Sequence, residues 1–162
     1  MMHAHTVVDS PLGPIALVER DGALAGLYMD AVARPPAAEV LGECDDDVLP
    51  GVRAQLDAYW AGWLRTFDVP LAPVGTPWQL RVWEALRTVP YGGTRTYGEL
   101  AAQLGKPTAS RAVGAANGRN PISIVVPCHR VVGATGLVGY GGGLERKRFL
   151  LDLERGAPSL LG

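Results

Sequence analysis

Thr96-Tyr97-Gly98-Glu99-Leu100-Ala101-Ala102-Gln103-Leu104-Gly105-Lys106-Pro107-Thr108 decides how the second half of this chain folds. Thr96 followed three residues later by Glu99 is a capping-box pattern, in which each side chain satisfies a backbone N–H that the first helical turn leaves open. A helix is predicted from there to Leu104, stopped by Gly105. Lys106-Pro107 turns the chain, and Thr108 stands where it can cap a second helix running through Asn117-Gly118. Two short helices joined by a glycine-containing turn are a helix-turn-helix candidate. From pattern alone an ordinary helical hairpin fits as well.

Upstream, Thr76-Pro77 supplies an N-cap and a proline at the first helical position, followed by Leu80, Val82, Trp83 and Leu86. Val69–Gly75, with two prolines and a glycine, is predicted to be a linker. Before it, Thr6–Asp9, Ile15–Glu19 and Leu24–Met29 are rich in Val, Ile and Leu and are separated by turn residues, with Asp21-Gly22 a strong hairpin signal. Residues 31–47 are rich in Ala, Pro and Asp and are predicted to be irregular. Val48–Trp63 repeats apolar residues at helical spacing: Val52, Leu56, Tyr59, Trp60 and Trp63. The chain therefore reads as an α+β protein. Residues 1–70 form a small α/β unit with an antiparallel three-stranded sheet, and residues 76–162 form a mainly helical domain.

Downstream, Ile122–Val126 is a β-branched run that predicts a buried strand. It leads into Pro127-Cys128-His129-Arg130. Gly133–Gly143 holds six glycines, and Leu144–Arg155 predicts a last amphipathic helix ended by Gly156.

With 162 residues, 48% of them hydrophobic, the chain can bury one substantial core or two small ones. It lacks an apolar run approaching the ~20 residues of a membrane span, and its first ten residues lack the pattern of a secretory signal. Two cysteines are too few for a disulfide framework, so a reducing, cytoplasmic setting is expected. The overall charge of −1 hides an asymmetry. Residues 1–75 carry 4 basic and 11 acidic side chains, and residues 76–162 carry 11 and 5. A basic half joined to an acidic one suggests that only the second half faces a polyanion.

Cys128 is the candidate nucleophile. It follows the β-branched run, precedes a histidine and faces a glycine-rich stretch. A thiol reacts as thiolate and needs a base or positive surroundings. His129 and Arg130 can supply these, with Glu154 as a third member. Neighbours on an extended strand point to opposite faces, so His129 reaches the sulfur only through a bend or a bridging water. Cys44 lies between Glu43 and Asp45–Asp47, whose charges oppose a thiolate. His3, His5 and Cys44 have no metal-ligand spacing, and no nucleotide-binding loop is present. No metal or cofactor is expected.

Asn120-Pro121-Ile122-Ser123-Ile124-Val125-Val126-Pro127-Cys128-His129-Arg130-Val131 resembles the active-site signature of the O6-alkylguanine-DNA alkyltransferases. Thr94–Ala101, Arg111–Ala116 and Tyr140-Gly141-Gly142-Gly143-Leu144 follow the same family's pattern in order and spacing. The resemblance implies an RNase H-like first domain and a helix-turn-helix second domain. It also implies direct reversal of DNA damage, by irreversible, stoichiometric transfer of an alkyl group from O6-alkylguanine, and from O4-alkylthymine as an extension, to Cys128.

By motif, His129 would deprotonate Cys128 through a water, Glu154 would hold His129, and Asn120 would brace the turn that presents the cysteine. Arg111 would fill the gap left by the extruded nucleotide and Tyr97 would press on the adjacent phosphate. Arg95, Thr96, Ala112, Arg119 and Arg130 complete the expected DNA-facing set. Tyr140, Gly141, Gly142 and Val138 would line the lesion pocket. The implied partner is double-stranded DNA, bound by a monomer that could assemble cooperatively, in the cytoplasm and on the nucleoid in a bacterium. Gly141 stands where family members often have serine, and the stretch from Gly136 to Tyr140 is about one residue short. Both bear on which alkyl groups fit. A non-catalytic alkylated-DNA-binding protein, a helix-turn-helix regulator and a cysteine hydrolase are the competing readings. Cys128 argues against the first, and the basic second half against the last.

Overall fold

The computed structural model describes residues 3–29, 36–134, 136 and 143–156. The chain separates into two compact units, Met1–Val74 and Gly75–Gly162.

In the first unit, β1 (His3–Val8), β2 (Ile15–Arg20) and β3 (Ala23–Met29) form an antiparallel meander. Asp21 and Gly22 both take positive φ, 50° and 84°, the geometry that lets a two-residue turn follow the twist of its strands. The sheet has four strands rather than the three predicted. After α1 (Ala38–Leu41), the two-residue strand β4 (Glu43–Cys44) adds parallel to β1, giving the order β3-β2-β1-β4. Both β4 residues are exposed, so no hydrophobic alternation marked them in the sequence.

α2 runs over Pro50–Trp60, shorter than predicted. Gly62, at φ 82°, ends it: its N–H bonds Tyr59 O and that of Trp63 bonds Ala58 O, the paired bonds of a glycine-terminated helix. Trp63, predicted on the apolar face, is therefore off the helix and 85% exposed. Ile15, Leu17, Leu24, Leu27, Val52, Leu56 and Tyr59 make the core of this unit. The predicted linker is pinned at its start, where Leu24 N donates to Pro70 O and Ala72 N to Leu24 O.

The second unit is mainly helical: α3 (Pro77–Leu86), α4 (Tyr97–Gln103), α5 (Ser110–Gly118) and α6 (Leu144–Glu154). The predicted Thr96–Glu99 capping box forms, and Thr76, predicted as an N-cap, makes a second one with Gln79. Gly105 (φ 77°) closes α4 with the same bond pair that ends α2, Gly105 N to Ala102 O and Lys106 N to Ala101 O. Thr108 does not cap α5. The turn runs one residue further, Ala109 N bonding Lys106 O, and Ala109 takes the cap position without a side-chain bond. Two indole N–H groups of α3 brace α5: Trp78 Nε1 donates to Ala112 O (3.2 Å) and Trp83 Nε1 to Ala116 O (2.8 Å). β5 (Arg95–Thr96) pairs parallel with β6 (Val131–Val132), tying the start of α4 to the chain just beyond Cys128.

The predicted strand Ile122–Val126 does not form; these residues are a series of tight turns. Ile122, Ile124, Val125 and Val126 are buried, but the β-branched run that suggested a strand belongs to a turn packed in the core. Among the described residues, no helix is long and apolar enough to cross a membrane.

Candidate active site

The turn ahead of Cys128 is built by Asn120. Its Nδ2 donates to Val126 O (2.8 Å) and its Oδ1 accepts from Ile122 N (3.0 Å), while Val126 N closes back on Ile122 O (3.0 Å). Inside this bracket, Val125 N bonds Ser123 O (2.9 Å) across Ile124, whose φ is 74°. A β-branched residue rarely takes positive φ, and such a γ-turn is strained. The bracket and the full burial of Ile124 hold it there. A second γ-turn, of the common inverse kind, follows: Cys128 N bonds Val126 O (2.8 Å) over Pro127 at φ −81°, ψ 65°. Cys128 then opens a single 3₁₀ turn, Cys128–Arg130. This is the bend that an extended chain would have lacked, and all three of its residues are buried.

Beneath the turn lies a buried charge cluster. Glu154, in the last turn of α6, receives three donors: His129 Nε2 at 2.8 Å, Arg130 Nε at 2.8 Å and Arg130 Nη2 at 2.9 Å. Arg130 Nη1 donates to Val89 O (2.8 Å), and its guanidinium lies 5.7 Å from the centre of the Tyr91 ring. An ionised carboxylate only accepts, so His129 carries its proton on Nε2. Burial pushes the His129 pKa below its ordinary value. The Glu154 hydrogen bond and charge oppose this, and the positive charges of Arg130 and Lys147 add to it. His129 is thus a neutral imidazole with Nδ1 as its basic atom, and Nδ1 is buried with no hydrogen-bond partner among the described residues.

Lys147 joins the cluster and was not anticipated. It is fully buried, its Nζ donating to Val131 O (2.6 Å). Burial lowers its pKa, and the negative charge available at Cys128 raises it, so ammonium and sulfur are within electrostatic reach. A sequence signal existed. Lys147, Leu150, Leu151 and Glu154 fall at i, i+3, i+4 and i+7, one helical face whose two ends are charged.

Tyr97 is also within electrostatic reach of Cys128. Burial raises its pKa, the Cys128 charge raises it further, and a hydrogen bond from Asn117 lowers it. Arg111 and Ala112, in the first turn of α5, are exposed, as is Arg119 just past its end. Thr96 spends its side chain on the cap, accepting from Glu99 N at 3.0 Å. Arg95 Nη1 is engaged by Gln103 Oε1 (2.8 Å) and Thr88 Oγ1 (3.3 Å). Arg130, expected among the DNA-facing residues, is corrected to the buried cluster: its guanidinium is occupied by Glu154 and Val89 and is 9% exposed as a side chain. Tyr140, Gly141, Gly142 and Val138 lie outside the described residues. Cys44 is exposed on β4. Among the described residues no group of three or more His, Cys, Asp or Glu side chains could hold a metal ion.

Comparison with known proteins agrees over both units. Residues 4–73 match the ribonuclease-like domain, and residues 77–156 the DNA binding domain, of 6-O-methylguanine DNA methyltransferase. The methylated-DNA–protein-cysteine methyltransferase of Mycobacterium tuberculosis (strain H37Rv) is 52% identical over 156 residues, covering 96% of this chain and 93% of that one. The protein of the same name from Methanosarcina acetivorans is 49% identical, with 93% and 97% covered. Among solved structures, Mycobacterium tuberculosis O6-methylguanine methyltransferase superimposes with a TM-score of 0.90 at 50% identity, covering 99% of this chain and 98% of that one. The same organism's protein in complex with DNA gives 0.89 at 49% identity, covering 96% of each.

Proposed function

The chain belongs to the 6-O-methylguanine DNA methyltransferase family, and from that premise we propose that the Cys128 sulfur is the atom that takes the alkyl group. The activity is methylated-DNA–protein-cysteine methyltransferase, a direct reversal of DNA damage. The observation that carries the assignment of Cys128 is the buried cluster beside it. His129 offers a free lone pair at Nδ1 because Glu154 holds its other nitrogen, and Lys147 supplies positive charge to the thiolate.

The step balances without a cofactor. Nδ1 of His129, through a water, takes the thiol proton. The thiolate attacks the alkyl carbon from behind the O6–carbon bond. The sulfur–carbon bond forms as that bond breaks, its electron pair stays on the purine, and the proton is returned to the purine. A thioether does not hydrolyse, so one molecule repairs one lesion. The substrate we assign is O6-alkylguanine in double-stranded DNA, with O4-alkylthymine as a secondary lesion.

The target carbon is hidden in the stack and the nucleotide must be turned out of it, at a cost of a few kcal/mol. Arg111, exposed in the first turn of α5, is placed to fill the gap, as a residue inserted in the base stack does. With it we assign Tyr97, Arg95, Thr96, Ala112 and Arg119 as the DNA-facing set, and Val138, Tyr140, Gly141 and Gly142 as the residues that would line the lesion pocket. The protein acts as a cytoplasmic monomer, associating with further copies only on DNA.

Mass spectrometry after incubation with methylated-guanine duplex tests the reading. Cys128 should gain one methyl group, Cys128→Ser should gain none while still binding DNA, and Cys44→Ala should react like the parent. Methylation of the Cys128→Ser variant, or its loss in Cys44→Ala, would overturn the assignment.

A further inference from the structure

α5 begins without a local anchor. Ala109, at its cap position, offers no side-chain bond to the open N–H groups of the first turn, and Arg111 and Ala112 in that turn are exposed. A helix start of this kind frays unless packing or a bond from elsewhere holds it. That bond comes from α3, where Trp78 Nε1 donates to Ala112 O at 3.2 Å. The indole is itself held. The Arg81 guanidinium, three residues along α3, lies 5.7 Å from the centre of its ring, and Arg81 Nη2 donates to Leu104 O (3.1 Å), the C-cap carbonyl of α4. Trp78 and Arg81 thus clasp the turn between α4 and α5 from both ends.

Burial does not explain this clasp. Trp83, whose Nε1 donates to Ala116 O, is 3% exposed, and a buried indole N–H needs an acceptor. Trp78 is only half-buried and Arg81 is exposed, so water can replace either acceptor at little net loss. The two bonds therefore contribute little to folding. What they fix is where the first turn of α5 lies. Arg111, next to Ala112, is the residue assigned to the gap in the base stack. Its insertion is strongest when its backbone is already in place, because any ordering left to that step is subtracted from it.

We propose that Trp78 is a positioning residue for nucleotide extrusion, its indole N–H holding Ala112 O so that the first turn of α5 presents Arg111 to the stack. The proposal rests on the reading of Arg111 as the inserted residue and adds what aims it. Arg81 keeps the indole in place, one flat group against another.

The test compares Trp78→Phe, Arg111→Ala and the double variant in single-turnover transfer from methylated duplex and from O6-methylguanine as the free base. Melting temperature and the fluorescence of a 2-aminopurine beside the lesion, which brightens when the stack opens, are read alongside. Phenylalanine keeps a ring for Arg81 and removes the N–H. Trp78→Phe should melt within about 3 °C of the parent and react with the free base at the parental rate. On duplex it should be about three- to tenfold slower, the range spanned by one net hydrogen bond, with the fluorescence rise slowed alike. In the Arg111→Ala background it should cost nothing further, since the residue it positions is gone. A parental duplex rate in Trp78→Phe, an equal loss on the free base, or an additive loss in the double variant would overturn the proposal. If phenylalanine lowers the folded fraction, Trp78→Leu carries the same comparison. Equal losses on both substrates in Arg111→Ala would sink the insertion reading and the proposal with it. A duplex-specific loss in Arg111→Ala beside a parental Trp78→Phe would sink the proposal alone.

Discussion

Glu154→Gln separates the parts of the buried cluster. In the parent, one carboxylate with no side-chain exposure accepts from His129 at 2.8 Å and from two Arg130 nitrogens at 2.8 and 2.9 Å. Glutamine keeps the shape but offers one oxygen, and its NH₂ group must face a donor. Arg130 then becomes a buried cation without a counter-charge, keeping its bond to Val89 O and its place over the Tyr91 ring but competing with His129 for a single oxygen. Removing one member of a buried ion pair costs ~3–5 kcal/mol. For a chain of this size each kcal/mol lowers Tm by roughly 2–4 °C, so a fall of about 6–20 °C follows. The chemistry should suffer separately. Without the carboxylate nothing fixes the His129 proton on Nε2, and general-base assistance, typically worth about 10²–10⁴-fold, is largely lost. Calorimetry supplies the first number and single-turnover methyl transfer at a temperature where both proteins are folded supplies the second. A Tm within about 3 °C of the parent would refute the buried-pair reasoning. A large Tm loss with an unchanged rate would leave the pair structural and remove His129 from the reaction.

Other outcomes follow from the same geometry. His129 is held below its ordinary pKa of 6.5, chiefly by burial. The unfolded chain therefore takes up a proton that the folded one refuses as pH falls below 6.5, and stability present above that pH is progressively lost. The Tm of the parent should drop more than that of His129→Gln between pH 7 and 5.5, and parallel curves would contradict it. Lys147→Met removes the positive charge near the sulfur. The thiol should titrate about one to three units higher and react with iodoacetamide correspondingly more slowly at pH 7, whereas an unchanged pH profile would separate Lys147 from the thiolate. Arg111→Ala should slow repair of duplex DNA and leave transfer from the free modified base unchanged, since a free base needs no extrusion. Equal losses on both would show that Arg111 does not fill the stack. Excess methylated duplex should produce a burst of one methyl per protein and then stop, and turnover with Cys128 recovered unmodified would point to a true catalyst.

The elements legible in the sequence are those set by local chemistry. Thr96 and Glu99 cap a helix because two backbone N–H groups need acceptors, wherever that helix packs. Gly105 ends it through a left-handed conformation that other residues avoid. Asp21-Gly22 forms its hairpin for a comparable reason. What escaped the reading depends on partners distant along the chain. β4 exists because Glu43 and Cys44 meet β1, and two exposed residues carry no pattern that could announce it. Trp63 has helical spacing, but one glycine between it and Trp60 takes it off the helix.

Ile122–Val126 was misread for a reason that bears on the chemistry. A buried β-branched run describes a strand, and the same run is buried when Asn120, two residues upstream, closes a turn around it. The decisive information is one side chain's two hydrogen bonds, and composition does not encode it. The consequence is the bend at Cys128. An extended chain would direct Cys128 and His129 to opposite faces. The 3₁₀ turn that replaces it lets His129 reach down to Glu154, while Cys128 stays close enough to Tyr97 and Lys147 for its charge to act on both. Asn120→Ala should therefore do more than loosen a loop. It leaves Ile122 N without its side-chain acceptor and Val126 O with only the bond from Cys128 N, and it releases the strained φ of Ile124, the one buried β-branched residue in the bracket with positive φ. With one buried backbone N–H unpaired, at ~1–3 kcal/mol, the variant should melt lower. Its folded fraction should transfer methyl groups at least about a hundredfold more slowly, since misplacing a reacting group by an ångström costs that much. Parental transfer by the folded fraction of Asn120→Ala would show that the bracket stabilises the turn without aiming the sulfur.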